Sequence, residues 1–320
     1  MSRWPFTKGL HDLGDGVYAY LQPDGSWGWS NAGLVVGDGR SLLVDTLFDL
    51  RLTREMLEEM RRAVPAAGAI EVLVNTHSNG DHCNGNELVE GAEIVASRDC
   101  AEEMRAAPRG MLASLMKTAP EMGELGAYFS RCFSAFHFDD INPAFPTRTF
   151  EGRLDLRVGH KDVQLLEVGP CHTRGDVIVH VPEARALFAG DILFVGGTPI
   201  MWAGPVANWI GACDLILGLN ADKIVPGHGP VTGPEGVRAV RGYFEYIAAE
   251  ARRRYDAGMP APDAAADIAL GPYGAWTDRE RIAVNVHILY REFSGDASPV
   301  NHVALFEEMA KYAKRLNKKE

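Results

Sequence analysis

Residues 70–82 read IEVLVNTHSNGDH, an apolar run that changes abruptly into a polar segment. The run 70–74 is short and rich in β-branched residues, which is typical of a buried strand. His77, Asp81 and His82 follow within six residues. A loop with this spacing can bring nitrogen and oxygen donors together around a divalent metal ion. The stretch therefore predicts a buried strand with a metal site at its end.

Three more candidate ligands lie further along the chain, each after a short strand pattern or in a glycine-rich turn. His172 lies in GPCHT, Asp191 in AGD and His228 in PGHGP. Rigid strands can direct loop side chains at one point. We therefore expect these three residues to join the first cluster. The strands predicted around them are residues 163–168, 177–181, 186–189 and 223–225.

The first quarter of the chain predicts a mixed α/β fold. Residues 17–21, 32–36 and 41–45 are short β-rich runs separated by turn residues, as in a meander of strands. Apolar residues then recur at helical spacing between 52 and 64, and Pro65 ends that helix. The strand predicted at residues 70–74 comes next and completes a β-α-β unit.

The six candidate ligands, taken in order, resemble the signature of the metallo-β-lactamase superfamily. That signature is His-x-His-x-Asp-His, followed by a downstream His, a Gly-Asp and a final Gly-His. The resemblance extends from about residue 17 to 231. It implies an α/β fold of the α+β type, the αββα metallo-β-lactamase sandwich, with the metal site at one edge between two sheets.

The resemblance also assigns the metal ligands and one departure from the pattern. It places His77 and His172 at a first metal position, Asp81, His82 and His228 at a second, and Asp191 as the bridging carboxylate. Asn79 stands where the family has its second motif histidine. A carboxamide oxygen is a poorer zinc ligand than imidazole. We expect one tight site, with zinc as the ion and Mn²⁺ or Fe²⁺ as alternatives, and a weak or partly occupied first position.

Such a site predicts a metal-dependent hydrolase that uses metal-activated water. Asp81 would ligate the metal and orient the water, and Asn79 is a second candidate catalytic group that could bind the developing oxyanion. The expected bond is a lactone, thioester or other carboxylic ester, with a β-lactam as the alternative. A non-catalytic metal-binding protein and an iron-dependent redox member of the superfamily are alternatives of another class.

The chain is expected to divide at about residue 235. Residues 1–235 would form the metallo-β-lactamase-like domain, and 236–320 a C-terminal helical extension packed on it. Within the domain, residues 98–150 are rich in Met and Phe and predict a helical insertion, either a lid over the substrate or a local core. The Ala- and Pro-rich stretch 259–266 is interpreted as a connection between C-terminal helices.

Five aromatic residues are candidates for the substrate pocket. Trp27 and Trp29 lie in the predicted hairpin loop 23–30, and the alternative for them is the covering of a sheet edge. The other three are Phe133 and Phe136 in the insertion and Trp202 after the Gly-Asp strand. The Met- and Phe-rich insertion and the scarcity of Lys and Arg near the motifs favour a small-molecule substrate that is apolar and neutral or weakly charged.

Composition limits the partners and the compartment. The chain has 43 acidic against 32 basic residues and a net charge of −11, which opposes binding to nucleic acid. No apolar run is long enough for a membrane span or a signal-peptide core. This favours a cytoplasmic protein. The five cysteines are odd in number and include no Cys-x-x-Cys pair, which argues against a disulfide framework or a zinc ribbon. The sequence predicts no oligomeric state.

Overall fold

The computed structural model describes residues 4–317, which form two β-sheets flanked by helices. Residues 1–3 of the predicted domain 1–235 and residues 318–320 of the predicted extension 236–320 lie outside the described residues. The first sheet has the strand order β1 to β7. Its antiparallel first half and parallel second half meet at β4. The strands are β1 (Gly9–Gly14), β2 (Val17–Leu21), β3 (Ala32–Gly37), β4 (Arg40–Val44), β5 (Val72–Val74), β6 (Glu93–Ser97) and β7 (Arg148–Phe150).

The second sheet packs face to face with the first. Its strands run in the order β12-β11-β10-β9-β8, and β11 and β12 are parallel. Its strands are β8 (Arg153–Val158), β9 (Lys161–Glu167), β10 (Val177–Val181), β11 (Ala186–Phe188) and β12 (Lys223–Val225). At Gly33 a Cβ atom would lie 2.0 Å from the ring of Phe188 on the opposite sheet. A larger residue there would force the sheets apart.

Helices cover the outer faces of both sheets. Within residues 4–317 the α-helices are α1 (Leu50–Ala63), α2 (Gly80–Cys83), α3 (Arg98–Ala106), α4 (Met111–Thr118), α5 (Gly123–Phe133), α6 (Val206–Gly218), α7 (Pro234–Asp256), α8 (Ala261–Asp267), α9 (Ile282–Ser294) and α10 (His302–Asn317). On α1, the apolar stripe of Leu52, Met56 and Met60 is buried with the first sheet, while Trp209 of α6 and Phe244 of α7 are buried beside the second. The predicted αββα order is therefore observed. In this part of the chain no helix has the length and apolar character needed to cross a membrane.

Two stretches differ in part from the sequence predictions. The segment 98–150 contains α3, α4 and α5, but it ends in β7, which pairs with β6 and joins the first sheet. Residues 259–266 were expected to be a connection, and this is wrong for most of them because α8 begins at Ala261. Pro260 precedes α8 and Pro262 lies in its first turn, where a helix tolerates proline. Ala264 and Ala265 of the same helix are buried.

Candidate metal centre

The six predicted ligands all lie at strand ends along one edge of the sandwich. His77 follows β5, and Asp81 and His82 are in the short helix α2 behind it. His172 lies between β9 and β10, Asp191 follows β11 and His228 follows β12. Each is 9% exposed or less. The structure thus brings together residues that are up to 151 positions apart in the chain.

The carboxylate of Asp191 is the centre of this cluster. Its Oδ2 is 3.3 Å from the Nε2 of His172 and 3.7 Å from that of His77. Its Oδ1 is 3.1 Å from the Nε2 of His82 and 3.5 Å from that of His228. One oxygen therefore faces each predicted metal position, which is the placement expected of a bridging group. Asp81 lies at the second predicted metal position, because its Oδ2 is 3.3 Å from the Nε2 of His228.

Each imidazole is oriented by a hydrogen-bonding contact at its other nitrogen. The Nδ1 contacts are His82 to Asp45 Oδ2 at 2.9 Å, His172 to the Ile200 carbonyl at 2.6 Å, His228 to the Gly25 carbonyl at 3.1 Å and His77 to Thr76 Oγ1 at 3.0 Å. A carboxylate or carbonyl that accepts the Nδ1 proton leaves the lone pair on Nε2. The Nε2 atoms of these rings face the cluster.

Asp45 contacts a candidate ligand and is a site residue that the sequence analysis did not single out. Its carboxylate accepts hydrogen bonds from the backbone N–H and the hydroxyl of Thr76, both at 2.7 Å, besides that of His82. It directly follows β4 and has a φ of +61°. The available signal was an aspartate at the end of a buried strand next to the strand that leads to His77.

The buried polar atoms of the cluster fit a divalent metal ion. The Nε2 atoms of His77 and His82 and the Oδ1 of Asp191 make no hydrogen bond with any described residue. Unsatisfied buried groups are costly, and imidazole nitrogen with carboxylate oxygen is a donor set typical of zinc and related ions. Two overlapping groups of donors lie within 4.8 Å, His77 with His82 and Asp191, and Asp81 with His82 and His228.

The charges around these rings favour a cation. Burial lowers the pKa of His77 well below the ordinary histidine value. Burial also opposes protonation of His82, but the carboxylates of Asp191 and Asp81 outweigh it and raise its pKa. Burial raises the pKa of Asp191, yet the surrounding imidazoles outweigh that effect and lower it well below its usual value. A metal ion would take the place of the protons that the carboxylates attract.

Asn79, the departure from the family pattern, lies beside the first predicted position. Its Nδ2 is 3.1 Å from the Nε2 of His172, which is the nitrogen that a metal would need. The residue directly precedes α2 and is partly buried. The side chain therefore reaches the cluster, but in this orientation it presents a donor rather than a ligand atom.

The five predicted pocket aromatics belong to one continuous cluster of rings. Trp27 packs on Phe133 at 5.8 Å between ring centroids, and Trp29 packs on Phe136 at 4.8 Å. Trp202 joins through Phe306 of α10, which also contacts Trp27. Both phenylalanines of the insertion are buried within the main core. The three tryptophans are only partly buried.

Comparison with known proteins gives the family. Residues 25–228 match the sequence profile of the metallo-beta-lactamase superfamily. The chain belongs to this superfamily. The match covers more than half of the chain and includes all six residues of the cluster, so the predicted family is confirmed. The C-terminal extension lies beyond the matched region.

Individual members of the superfamily are distant relatives. The acyl-coenzyme A thioesterase MBLAC2 of Gallus gallus is 25% identical over 215 residues, covering 64% of this chain and 74% of the relative. Its Homo sapiens counterpart is 23% identical over 244 residues, covering 70% and 81%. The alpha subunit of 2,4-dinitroanisole O-demethylase from Nocardioides sp. strain JS1661 is 23% identical over 201 residues, covering 61% of this chain and 51% of that protein.

Solved structures confirm the fold. A metallo-beta-lactamase from Pontibacter korlensis has a TM-score of 0.55 at 18% identity, covering 75% of this chain and 99% of its own. The inverting sec-alkylsulfatase Pisa1 from Pseudomonas sp. has a TM-score of 0.64 at 17% identity, covering 92% of this chain and 52% of its own. The second likeness therefore reaches beyond the region of the family match.

We predict that Asp45→Ala weakens metal binding without unfolding the protein. The substitution removes the acceptor that orients His82, and loss of such a partner typically lowers metal affinity about 10–100-fold. Competition for zinc with a chromophoric chelator measures this change. The matched control is Asp49→Ala, which removes another buried carboxylate, one that caps α1 through Leu52 N at 2.7 Å. That control should lose about 1 kcal/mol of stability and keep its zinc affinity; equal losses of affinity would contradict the role of Asp45.

Proposed function

We propose that the protein is a metal-dependent hydrolase of thioesters or related carboxylic esters, with lactones in the same class. One observation carries this proposal: four buried imidazoles direct their Nε2 atoms at the carboxylate of Asp191. Such a donor set holds a metal while leaving room for water and substrate. The acyl-coenzyme A thioesterases among the relatives support the choice of a thioester.

The residues of the cluster divide into holding and reacting groups. His82, His228, Asp81 and Asp191 would hold an ion at the second position, and His77 and His172 would complete the first. A bound divalent ion supplies a Lewis acid and lowers the pKa of water toward about 7. Asp81 is 9% exposed against 4% for Asp191, so substrate and water reach Asp81 more readily. Asp81 is therefore suited to orient the attacking water.

The rest of the reaction follows from acyl-transfer chemistry. Water adds to the carbonyl carbon, the carbon–sulfur or carbon–oxygen bond breaks, and the leaving thiolate or alkoxide takes up the proton. The amide N–H of Asn79 can donate to the carbonyl oxygen as it gains negative charge. Trp27, Trp29 and Trp202 would contact an apolar acyl group, whereas Phe133 and Phe136 would support those rings from behind.

Zinc is the ion we propose, with unequal binding at the two positions. The second position has two imidazoles and two carboxylates. The first lacks a histidine at residue 79, and there the Nδ2 of Asn79 lies beside the Nε2 of His172, the atom that would bind the metal. The five free, buried cysteines support a reducing compartment, the cytoplasm. The net charge of −11 supports a small-molecule substrate over nucleic acid.

The proposed activity predicts metal-dependent turnover of an ester panel. The panel comprises acyl-coenzyme A, p-nitrophenyl esters, γ-lactones, a chromogenic β-lactam and bis(p-nitrophenyl) phosphate. Chelation should abolish hydrolysis of the best ester, and zinc or manganese should restore it. His228→Ala should reduce kcat about a hundredfold or more, because a misplaced reacting group costs that much. His180→Ala, which alters a buried histidine of β10, is the matched control and should keep normal kcat.

Four results would overturn this proposal in different ways. Ester hydrolysis that persists in rigorously metal-free protein would exclude the mechanism. Metal binding without turnover of any ester would favour a binding protein. Bound iron with oxygen consumption would favour a redox enzyme, and faster turnover of the β-lactam than of every ester would favour the β-lactamase alternative.

Asn79→His should raise the number of tightly bound metal ions. The imidazole would supply the ligand missing from the first position, so elemental analysis after dialysis should change from about one ion per chain toward two. Kinetics of the same variant separate two roles of Asn79. If the amide binds the oxyanion, the variant gains metal and loses kcat; if it is only a missing ligand, kcat is kept. Two tightly held ions in the wild type would show that the sites are equal.

A further inference from the structure

The start of α9 in the C-terminal extension is hydrogen-bonded to the segment 198–202. Asn285 is fully buried, and its Oδ1 accepts the backbone N–H of Met201 at 2.8 Å. Its Nδ2 donates to the carbonyl of Pro199 at 2.8 Å. Arg281, directly before α9, donates from Nη1 to the carbonyl of Thr198 at 3.0 Å. Two polar side chains one helical turn apart thus fix three residues of this segment.

The residue between the two contacts of Asn285 is Ile200, whose carbonyl accepts the Nδ1 proton of His172 at 2.6 Å. The same segment makes a second hydrogen bond with His172, in which the backbone N–H of Trp202 donates to the His172 carbonyl at 3.0 Å. Asn285 therefore binds both neighbours of the one carbonyl that sets the tautomer of a predicted metal ligand. A rotation of that peptide would withdraw the acceptor from His172.

We propose that Asn285 is a positioning residue for the metal site, acting on His172 through the Ile200 carbonyl. The importance of this inference rests on the proposed function, but the contacts that support it are all between residues of the protein itself. Asn285 suits the role because one carboxamide supplies both an acceptor for Met201 and a donor for Pro199. The extension, which lies outside the matched family region, is then a part of the active site rather than a covering helix layer.

The position of the Nδ1 proton on His172 tests the proposal directly. In metal-free wild-type protein, nuclear magnetic resonance should show a slowly exchanging His172 Nδ1 proton, assigned by its absence in His172→Gln. In Asn285→Ala and Asn285→Ser that resonance should disappear through exchange with solvent. The Nδ1 proton of His82, which donates to Asp45, should remain in every variant and serves as an internal reference.

Tyr243→Phe is the matched control. The Tyr243 hydroxyl is the third partner of Asn285 and lies 2.9 Å from Nδ2, the nitrogen that also donates to the Pro199 carbonyl, but Tyr243 itself is not part of the segment 198–202. Its removal should lower the unfolding midpoint while leaving the His172 resonance unchanged. If Asn285 only stabilised the fold, the Asn285 substitutions and Tyr243→Phe would all lower the unfolding midpoint and leave the His172 resonance unchanged.

The outcomes separate this proposal from the proposed function. Loss of the His172 signal in a folded Asn285 variant, with His82 and the Tyr243→Phe control unaffected, supports it whatever the substrate is. An unchanged His172 signal in a folded variant overturns it. Failure of both Asn285 variants to fold, while Tyr243→Phe folds, would assign Asn285 to stability and also overturn it.

Discussion

The carboxylate of Asp191 lies within 3.1–3.7 Å of the Nε2 atoms of four imidazole rings, at a place that solvent hardly reaches. Buried groups of this kind are stable only when paired or bound to a metal. Rotation of the rings to relieve the crowding is opposed, because each Nδ1 atom contacts a hydrogen-bonding partner in a different part of the chain. The donors are therefore held in place before any ion arrives, which reduces the reorganisation that metal binding requires.

This constraint explains why so many segments meet at one edge of the sandwich. Asp45 and Thr76 follow strands β4 and β5 of the first sheet, the Gly25 carbonyl belongs to the loop between β2 and β3, and the Ile200 carbonyl to the segment held by α9. Loop 22–31 is itself tied to the His228 turn, since Asn31 Nδ2 donates to the Pro226 and Gly229 carbonyls. The ring of Phe194 stacks on His228 and lies 5.2 Å from the Arg281 guanidinium. Both sheets and the extension thus contribute to one site.

The ligands could be predicted from sequence because each is a reactive residue directly after a strand pattern, and their order matches a known signature. Asp45 also follows a strand, but a lone aspartate there is equally typical of a turn. Asn285 was beyond reach, because it acts on residues 84 and 86 positions away and its own helix shows nothing unusual. Helix α8 was missed because its prolines suggested a connection. Whether Phe133 lines a pocket or a core depends on packing against Phe48 and Trp27, which no local pattern encodes.

Anomalous diffraction at the zinc edge, from crystals of the full chain grown with zinc, would locate the bound ion. We expect a strong peak at about 2.0–2.2 Å from the Nε2 atoms of His82 and His228 and from oxygens of Asp81 and Asp191. We expect a weaker peak, or none, beside His77 and His172. The absence of a peak at the second position, or a stronger peak at any other place in the chain, would contradict this expectation.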